Sequence, residues 1–348
     1  MSIDPTALRK LVDHALRSRP TLKGNPHCEC WRVFAGAADG LDGLFIDRYG
    51  PGAVMITYED TAAEHIGAPG ARQAFGAAVL DALAPLGVEA VYAKPFVRDR
   101  SRLGGDGPSV LTSEVPAAGS PLPEHLDLTE HGLRLRVRLY DGFSTGIFLD
   151  QRSNRKWVRD WCLRTAKSSD RPLRVLNTFA YTCAFGVAAA SAHESITTTN
   201  IDVSPRYLDW GKQNYEINAI DPKAHYFTRM DTLEFLTLAR RKSMRFDLII
   251  LNPPTFAAAN KRRNIPAWKA DRDYPRLIKE ACEALEPGGV ILASTNCTQL
   301  CNPHRFRAVV LEGVGPRRIN WLELPPAPED FAGETGRFVA SAFSPALR

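Results

Sequence analysis

An apolar run of this chain ends at two consecutive prolines. The run FDLIIL, residues 246–251, leads into Asn252, Pro253 and Pro254. A continuous apolar run is typical of a parallel strand that is buried on both faces, and this places Asn252 at the carboxyl end of the strand. Proline has a fixed φ and no N–H group, and it keeps the preceding residue extended. We therefore predict a rigid elbow whose carbonyl oxygens and Asn amide present hydrogen-bond acceptors to a planar amine or a nucleobase edge.

Polar residues also follow two other predicted strands. The strand at 173–177 leads into the sequence T-F-A-Y-T, and the strand at 197–201 leads into Asp202. The carboxyl ends of parallel strands form one edge of a sheet, and ligands bind there at the point where the strand order reverses. Asp202 comes about 25 residues after Asn177, a spacing at which an acid reaches both hydroxyls of a bound ribose. The pattern predicts a cofactor that contains a nucleoside.

The glycine pattern narrows the choice of cofactor. The turn after Asn177 reads N-T-F-A-Y-T-C-A-F-G and lacks the G-x-G-x-x-G that binds a pyrophosphate, so NAD and FAD fit poorly. S-adenosylmethionine fits better, because its adenosine suits Asp202 and a second acid, Asp231, that could reach the adenine amino group. Each acid has an alternative interpretation as a helix cap.

Strands and helices alternate from Arg174 onward, which predicts a doubly wound, mostly parallel sheet. The predicted strands are LRVLNTF, SITTTNIDV, FDLIILN and GVILAST, and the predicted helices lie near 183–192, 204–218, 231–241 and 271–286. RINWLELP and RFVASAF predict a reversed pair of strands at the carboxyl end of the chain. Three parts follow along the chain: a helical segment at 1–30, a small α/β domain at 31–123, and a β-hairpin with the main sheet domain at 124–348.

Composition limits the class of protein. The 348 residues are 44% hydrophobic and 24% charged, and no run of about 18 apolar residues indicates a membrane span. The amino terminus lacks the apolar core of a secretory signal, so we expect a cytoplasmic protein without a membrane partner. Seven cysteines without zinc-type spacing predict reduced thiols and no metal site. The net charge of +5 permits a nucleic-acid partner but does not establish one.

Four motifs together carry a family resemblance. They are GIFLDQRSNRK (146–156), VLNTFAYT (175–182), TTTNIDVSPRYLDW (197–210) and FDLIILNPPTF (246–256). The chain resembles bacterial class I methyltransferases of large-subunit ribosomal RNA. The likeness is closest to the guanine-N7 half of the fused large-subunit enzyme and more distant to the cytosine-C5 enzymes. The resemblance implies a Rossmann-like class I sheet, S-adenosylmethionine as cofactor and ribosomal RNA as partner.

The resemblance also implies a set of site residues. Cofactor contacts in the family fall here on Gln151, Arg152, Asn177, Phe179, Tyr181, Thr182, Asp202 and Asn252, and the catalytic elbow falls on Asn252, Pro253 and Pro254. Two positions depart from the family pattern. Cys183 replaces the usual glycine, and Asn252 stands where the family more often has Asp.

The residues after the strand GVILAST bear on the target atom. Methylation of cytosine C5 needs a cysteine nucleophile that attacks C6. The position equivalent to that cysteine holds Asn296, which favours direct in-line transfer to a base nitrogen, most simply of guanine, without a covalent intermediate. A shift of one residue would place Cys297 there and restore a cytosine-C5 activity. A methyltransferase of small molecules or proteins, and a binding module without catalysis, are further alternatives.

Basic and aromatic residues could contact RNA. The basic candidates are Arg98, Arg100, Arg102 and the run 261–263, which could bind phosphates beside the target base. Phe256 and Trp268 could stack on a flipped or single-stranded base. For Trp268, packing in the core is the better expectation.

Overall fold

A computed structural model describes residues 3–96, 110–259, 265–331, 333 and 337–346. The chain forms two compact units. The first unit contains residues 1–150 and 327–334, and the second contains residues 151–326 and 335–348. The divisions expected after residues 30 and 123 do not match these units, because the amino-terminal helix and the hairpin both belong to the first unit.

The first unit is a five-stranded sheet with helices and a separate hairpin. Its elements are α1 (Pro5–Arg17), β1 (Cys30–Ala35), β2 (Leu44–Tyr49), β3 (Gly52–Tyr58), α2 (Glu64–Gly67), α3 (Arg72–Leu83), β4 (Ala90–Phe96), β5 (Ala118–Gly119), β6 (Leu126–Glu130) and β7 (Leu133–Val137). The sheet order is β1-β2-β3-β4-β5, and β6 pairs with β7. Asp4 caps α1 by accepting from the N–H of Ala7, and the predicted apolar stripe of α1 is buried. The predicted hairpin is confirmed. It joins the first unit because Glu29 donates its N–H to the carbonyl of Thr129.

The second unit contains a seven-stranded sheet. Its elements are α4 (Arg152–Lys167), β8 (Leu173–Thr178), α5 (Ala184–Ala190), β9 (Ile196–Asp202), α6 (Pro205–Glu216), β10 (Tyr226–Arg229), α7 (Thr232–Arg241), β11 (Phe246–Leu251), β12 (Phe256–Ala257), β13 (Trp268–Lys269), α8 (Ala270–Glu283), β14 (Leu285–Thr295), α9 (Pro303–Val314), β15 (Ile319–Leu322) and β16 (Val339–Pro345). The order is β10-β9-β8-β11-β14-β16-β15. The first five strands in this order are parallel, and the carboxyl-terminal pair is antiparallel as predicted. Only β16 runs against the parallel strands, because it is antiparallel to both of its neighbours.

The strand β11 is buried on both faces, as its apolar sequence predicts. Ile249 and Leu251 pack in the core that contains α7, α8 and α9. Leu248 and Ile250 pack in a second core with α4 and α5. The strand order reverses beside β8, where Thr178 pairs in register with Leu251 of β11. The carboxyl ends of β8, β9, β11 and β14 therefore form the edge at which a ligand site is expected.

Candidate cofactor and substrate site

The loop after β8 has a strained backbone. Phe179, Tyr181 and Cys183 all have positive φ, at 49°, 50° and 59°. Each such conformation costs a non-glycine residue about 1–2 kcal/mol, so it persists only where other contacts hold it. The N–H of Ala180 donates to the carbonyl of Ile201, and the amide of Asn214 donates to the carbonyl of Thr182 at 2.8 Å. Strain of this kind is concentrated at functional sites, which agrees with a loop that approaches a ligand.

Asp202 ties this loop to the end of β9. Its Oδ2 accepts from the N–H of Tyr181 and its Oδ1 from the N–H of Ser204, both at 2.9 Å. Burial raises the pKa of this carboxyl, and the N–H groups of Ser204, Tyr181 and Val203 oppose the increase. An ionised carboxylate has about four lone-pair sites, so three N–H donors leave capacity for a ribose hydroxyl.

Asp231 caps α7, as the alternative interpretation proposed. Its Oδ1 accepts from the N–H groups of Leu233 and Glu234 at 2.9 and 3.1 Å. Its Oδ2 accepts no hydrogen bond from the described residues. Asp231 lies close to the strand-end site. Arg229, which is two residues before Asp231, pairs in register with Asp202 at the end of β9. Capping and ligand binding are therefore compatible at this residue.

Asn177 lies in the interior of the second unit. Its Nδ2 donates to Oδ1 of Asn200 at 3.0 Å, and the side chain is 2% exposed. Asn200 in turn donates to the hydroxyl of Tyr215 at 3.1 Å. The amide nitrogen of Asn177 is thus committed to a network that joins β8, β9 and α6. A contact between Asn177 and a cofactor could use Oδ1, or the second N–H of Nδ2. Neither Asn200 nor Tyr215 was predicted as a site residue, because a buried polar network has no periodic pattern in the sequence.

Protein neighbours fix the other predicted side chains of the loop. The ring of Tyr181 packs edge-on against Tyr207 with centroids 4.5 Å apart. The ring of Phe179 lies 5.7 Å from the ring of Trp268. Thr182 is fully buried. These contacts hold the loop in place.

The elbow brings together residues from three elements. Asn252 Oδ1 accepts from the hydroxyl of Ser294 at 2.9 Å and from Nε2 of Gln151 at 3.4 Å. Gln151 is 3% exposed, and its Oε1 accepts from Nδ2 of Asn154 at 3.0 Å. The start of α4, where the buried Arg152 also lies, therefore meets the ends of β11 and β14. The predictions assigned Gln151 and Asn252 to the same cofactor site but did not include Ser294 or Asn154.

Part of the acceptor capacity of the elbow is used within the protein. The carbonyl of Pro254 accepts from the indole N–H of Trp268 at 2.7 Å, which leaves one lone pair of this oxygen. The hydroxyl of Tyr274 likewise donates to the carbonyl of Leu251 at 3.1 Å. The prolines create unpaired carbonyls, as expected, but side chains distant in sequence bind them. Trp268 is buried between Phe179 and Tyr274, which confirms the expectation that it packs in the core.

An exposed aromatic residue lies next to the elbow. Phe256 is 57% exposed on β12 and pairs across the ribbon with Lys269. The ribbon is anchored by the hydroxyl of Thr255, which donates to Oδ1 of Asn296 at 2.9 Å. Phe256 follows Asn252 by four residues in the chain, and its ring is open to a planar partner. The basic candidates at 98, 100, 102 and 261–263 lie outside the described residues.

Asn296 and Cys297 differ in exposure. Asn296 is exposed, whereas Cys297 is 4% exposed and belongs to the large core of the second unit. The N–H of Cys297 donates to the hydroxyl of Thr295 at 3.1 Å. The thiol of Cys297 is thus directed into the protein interior.

A family model for S-adenosylmethionine-dependent methyltransferases matches residues 112–337. The chain belongs to this family. The methyltransferase uses S-adenosylmethionine as its cofactor, so the predicted family, fold class and cofactor are confirmed. Within the described residues, no helix is long and apolar enough to cross a membrane, and no group of three or more His, Cys, Asp or Glu side chains could hold a metal.

Named relatives resemble the methyltransferase over most of its length. Ribosomal RNA large subunit methyltransferase I of Klebsiella pneumoniae is 31% identical over 92% of this chain and 74% of its own. YwbD of Bacillus subtilis, provisionally named a ribosomal RNA large subunit methyltransferase, is 34% identical over 84% of this chain and 67% of its own. The crystal structure of SMU.776, provisionally named a methyltransferase and solved with SAH, is 26% identical with a TM-score of 0.80 and covers 99% of this chain and 82% of that one.

The residues at the strand ends of the methyltransferase suit S-adenosylmethionine. Asp202 keeps acceptor capacity beyond its N–H partners, and Oδ2 of Asp231 accepts no hydrogen bond from the described residues. The strained loop brings backbone close to the same edge of the sheet. A cradle for phosphates is not required, because this cofactor has none.

Proposed function

We propose that this methyltransferase methylates a base of large-subunit ribosomal RNA. Two features at the end of β11 support this proposal most directly: Asn252 is held by Ser294 and Gln151, and the ring of Phe256, four residues later in the chain, is exposed. Such a pairing of an oriented amide with an open aromatic face suits a flipped or single-stranded base. The names of the relatives support RNA as the substrate, and such a substrate implies a cytoplasmic location.

The cofactor contacts follow from the same edge of the sheet. In this proposal Asp202 binds a ribose hydroxyl and Oδ2 of Asp231 accepts from the adenine amino group. The loop with Phe179, Tyr181 and Thr182 encloses the methionine part of the cofactor. Gln151 and Arg152 close the site from the start of α4, and Oδ1 of Asn177 completes it. The cofactor supplies an electrophilic methyl group on a sulfonium.

We propose a base nitrogen as the acceptor of the methyl group. With S-adenosylmethionine bound, the nitrogen lone pair would form the new N–C bond as the C–S bond breaks, and the electron pair of the C–S bond would remain on sulfur. N7 of guanine carries no proton, so no general base is needed. The task of the protein is to align the two reactants, and good alignment can lower the barrier by about 7–11 kcal/mol. The elbow of Asn252, Pro253 and Pro254 provides a rigid support for this alignment.

Cytosine-C5 methylation is the second candidate. It is favoured by the position of Cys297, three residues after Ser294 in the chain. The burial of the Cys297 thiol opposes it, because the thiol would have to reach C6 of the base. We expect Cys297→Ser to leave the rate of methyl transfer within about threefold of the wild type. Loss of transfer together with loss of a covalent RNA adduct would establish the C5 mechanism.

The proposal is tested by methylating RNA from a strain that lacks the gene. The purified protein and radiolabelled S-adenosylmethionine are incubated with this RNA, with total protein and with small metabolites. We expect label in large-subunit ribosomal RNA, and mass spectrometry of nuclease fragments then locates the base. Label confined to protein or metabolites would indicate the alternative substrates, and cofactor binding without any transfer would indicate a binding module.

A further inference from the structure

Asn252 has a fixed orientation. Both donors that contact its side chain, Ser294 and Gln151, bind Oδ1. The direction of the Gln151 amide is set by Asn154, which donates to Gln151 Oε1. Nδ2 of Asn252 donates to no described residue, and this nitrogen is not buried within the protein. Asn252 therefore offers a hydrogen-bond donor to a ligand, although the sequence had suggested an acceptor.

A second amide at the same edge follows the same pattern. Oδ1 of Asn296 accepts from Thr255, which leaves Nδ2 of this exposed residue for a partner. Asn252 and Asn296 follow the neighbouring parallel strands β11 and β14, where Leu251 pairs in register with Ala293. The nearby carbonyls of Leu251 and Pro254 are bound by Tyr274 and Trp268. The edge thus presents amide donors, and two of its carbonyl acceptors already have donors within the protein.

We propose that Nδ2 of Asn252 donates a hydrogen bond to a carbonyl oxygen beside the methylated atom, so that the enzyme selects guanine over amino-substituted bases. This inference rests on the proposed function. Guanine presents two acceptors on one edge, N7 and O6, whereas adenine places an amino donor beside N7 and cytosine places one beside C5. An amino group facing Nδ2 would leave two donors opposed and unpaired, which is unfavourable in a desolvated site.

The first experiment varies the base and keeps the wild-type protein. Once the methylated position is mapped, short RNAs carry guanosine, inosine or 2,6-diaminopurine at that position. Inosine keeps O6 and lacks the 2-amino group, whereas diaminopurine replaces O6 by an amino group. We expect guanosine and inosine to react with similar kcat/KM, and diaminopurine to react roughly 10- to 100-fold more slowly. Equal rates for all three, or a mapped target that is adenosine or cytidine, would overturn the inference.

The second experiment changes the donor. Asn252→Asp keeps the acceptor that Ser294 and Gln151 bind but replaces Nδ2 by an oxygen. We expect kcat/KM on the guanosine RNA to fall roughly 10- to 100-fold and the preference to move toward diaminopurine. The control is Asn302→Asp at the amino-terminal cap of α9, where Asn and Asp cap equally well. Its kcat/KM on the guanosine RNA and on the diaminopurine RNA should both equal the wild-type values.

The outcomes separate this inference from the proposed function. If the wild type transfers no methyl group to any RNA, the proposed function itself is contradicted. If the wild type is active and Asn252→Asp methylates the guanosine RNA at the same rate, only the donor role of Asn252 is contradicted. If Asn252→Asp does not fold, as judged by circular dichroism, the analogue experiment with the wild type still decides the inference.

Discussion

A β-carbon on Gly211 would lie 2.4 Å from Sγ of Cys183, far inside van der Waals contact. Cys183 occupies a position with φ of 59°, where a glycine would relieve the backbone strain. Burial raises the pKa of its thiol well above the usual range, so the side chain acts as a small apolar group. The family usually has glycine where this chain has Cys183. Gly211 of α6 makes room for the cysteine, because its missing β-carbon leaves the space that the sulfur fills.

This relationship predicts strong coupling between the two residues. Gly211→Ala should lower the free energy of unfolding by about 1–3 kcal/mol, because the methyl group overpacks the contact with Cys183. Cys183→Gly should be nearly neutral, since relief of the strain offsets the lost packing. The double variant should recover most of the loss in urea unfolding, with a coupling energy of about 1 kcal/mol or more. Additive effects would show that the two residues do not share this space.

Asp202 should control cofactor affinity in a pH-dependent manner. Asp202→Asn replaces one carboxylate oxygen by an amide nitrogen that opposes a backbone N–H, so we expect the Kd for S-adenosylmethionine to increase roughly 10- to 100-fold. Burial raises the pKa of Asp202, so its charge is lost at a higher pH than for an ordinary Asp. Calorimetry at pH 7.5 and 5.5 should show a larger loss of affinity in the wild type than in Asp202→Asn. Parallel pH profiles would contradict this role.

The two roles of Asp231 can be separated by choice of substituent. Ser is as good a cap as Asp, so Asp231→Ser should retain the stability of α7 while it removes the carboxylate oxygen. Asp231→Ala should lose the cap as well and unfold about 1 kcal/mol more easily. We expect both variants to bind S-adenosylmethionine more weakly by a similar factor in calorimetry. Wild-type affinity in Asp231→Ser would mean that Asp231 serves only as a cap.

Lys94 should make the stability of the first unit depend on pH. The side chain is 1% exposed, and burial lowers its pKa from 10.5 to about 7, although Asp141 and Asp47 oppose the decrease. Between these two values the unfolded chain binds more protons than the folded chain, so the free energy of unfolding contributed by Lys94 rises with pH. We expect the urea midpoint of the wild type to increase relative to that of Lys94→Met as the pH rises from 6.5 to 9. The exposed Lys10→Met is the control, and an equal change in all three proteins would refute the expectation.

The sequence by itself determined the order and type of most elements. Alternation of apolar strands with amphipathic helices encodes a parallel sheet, because each strand must be covered on both faces. The carboxyl ends of such strands lie at one edge whatever their side chains are, so Asp202 and Asn252 could be assigned to one site. The short β10 and the largely polar α4 were not assigned individually, since neither has a distinctive apolar pattern.

Only the tertiary structure decided which groups satisfy each polar atom. Asn252 is oriented by Ser294, which lies 42 residues later in the chain, and the carbonyl of Pro254 is bound by Trp268. Residues 327–334 return to the first unit, where the buried Asp330 accepts from the N–H of Arg32, 298 residues earlier. Periodicity records which face of an element is apolar, whereas a hydrogen bond depends on the distance and direction between two atoms. Those are fixed only when the whole chain has packed.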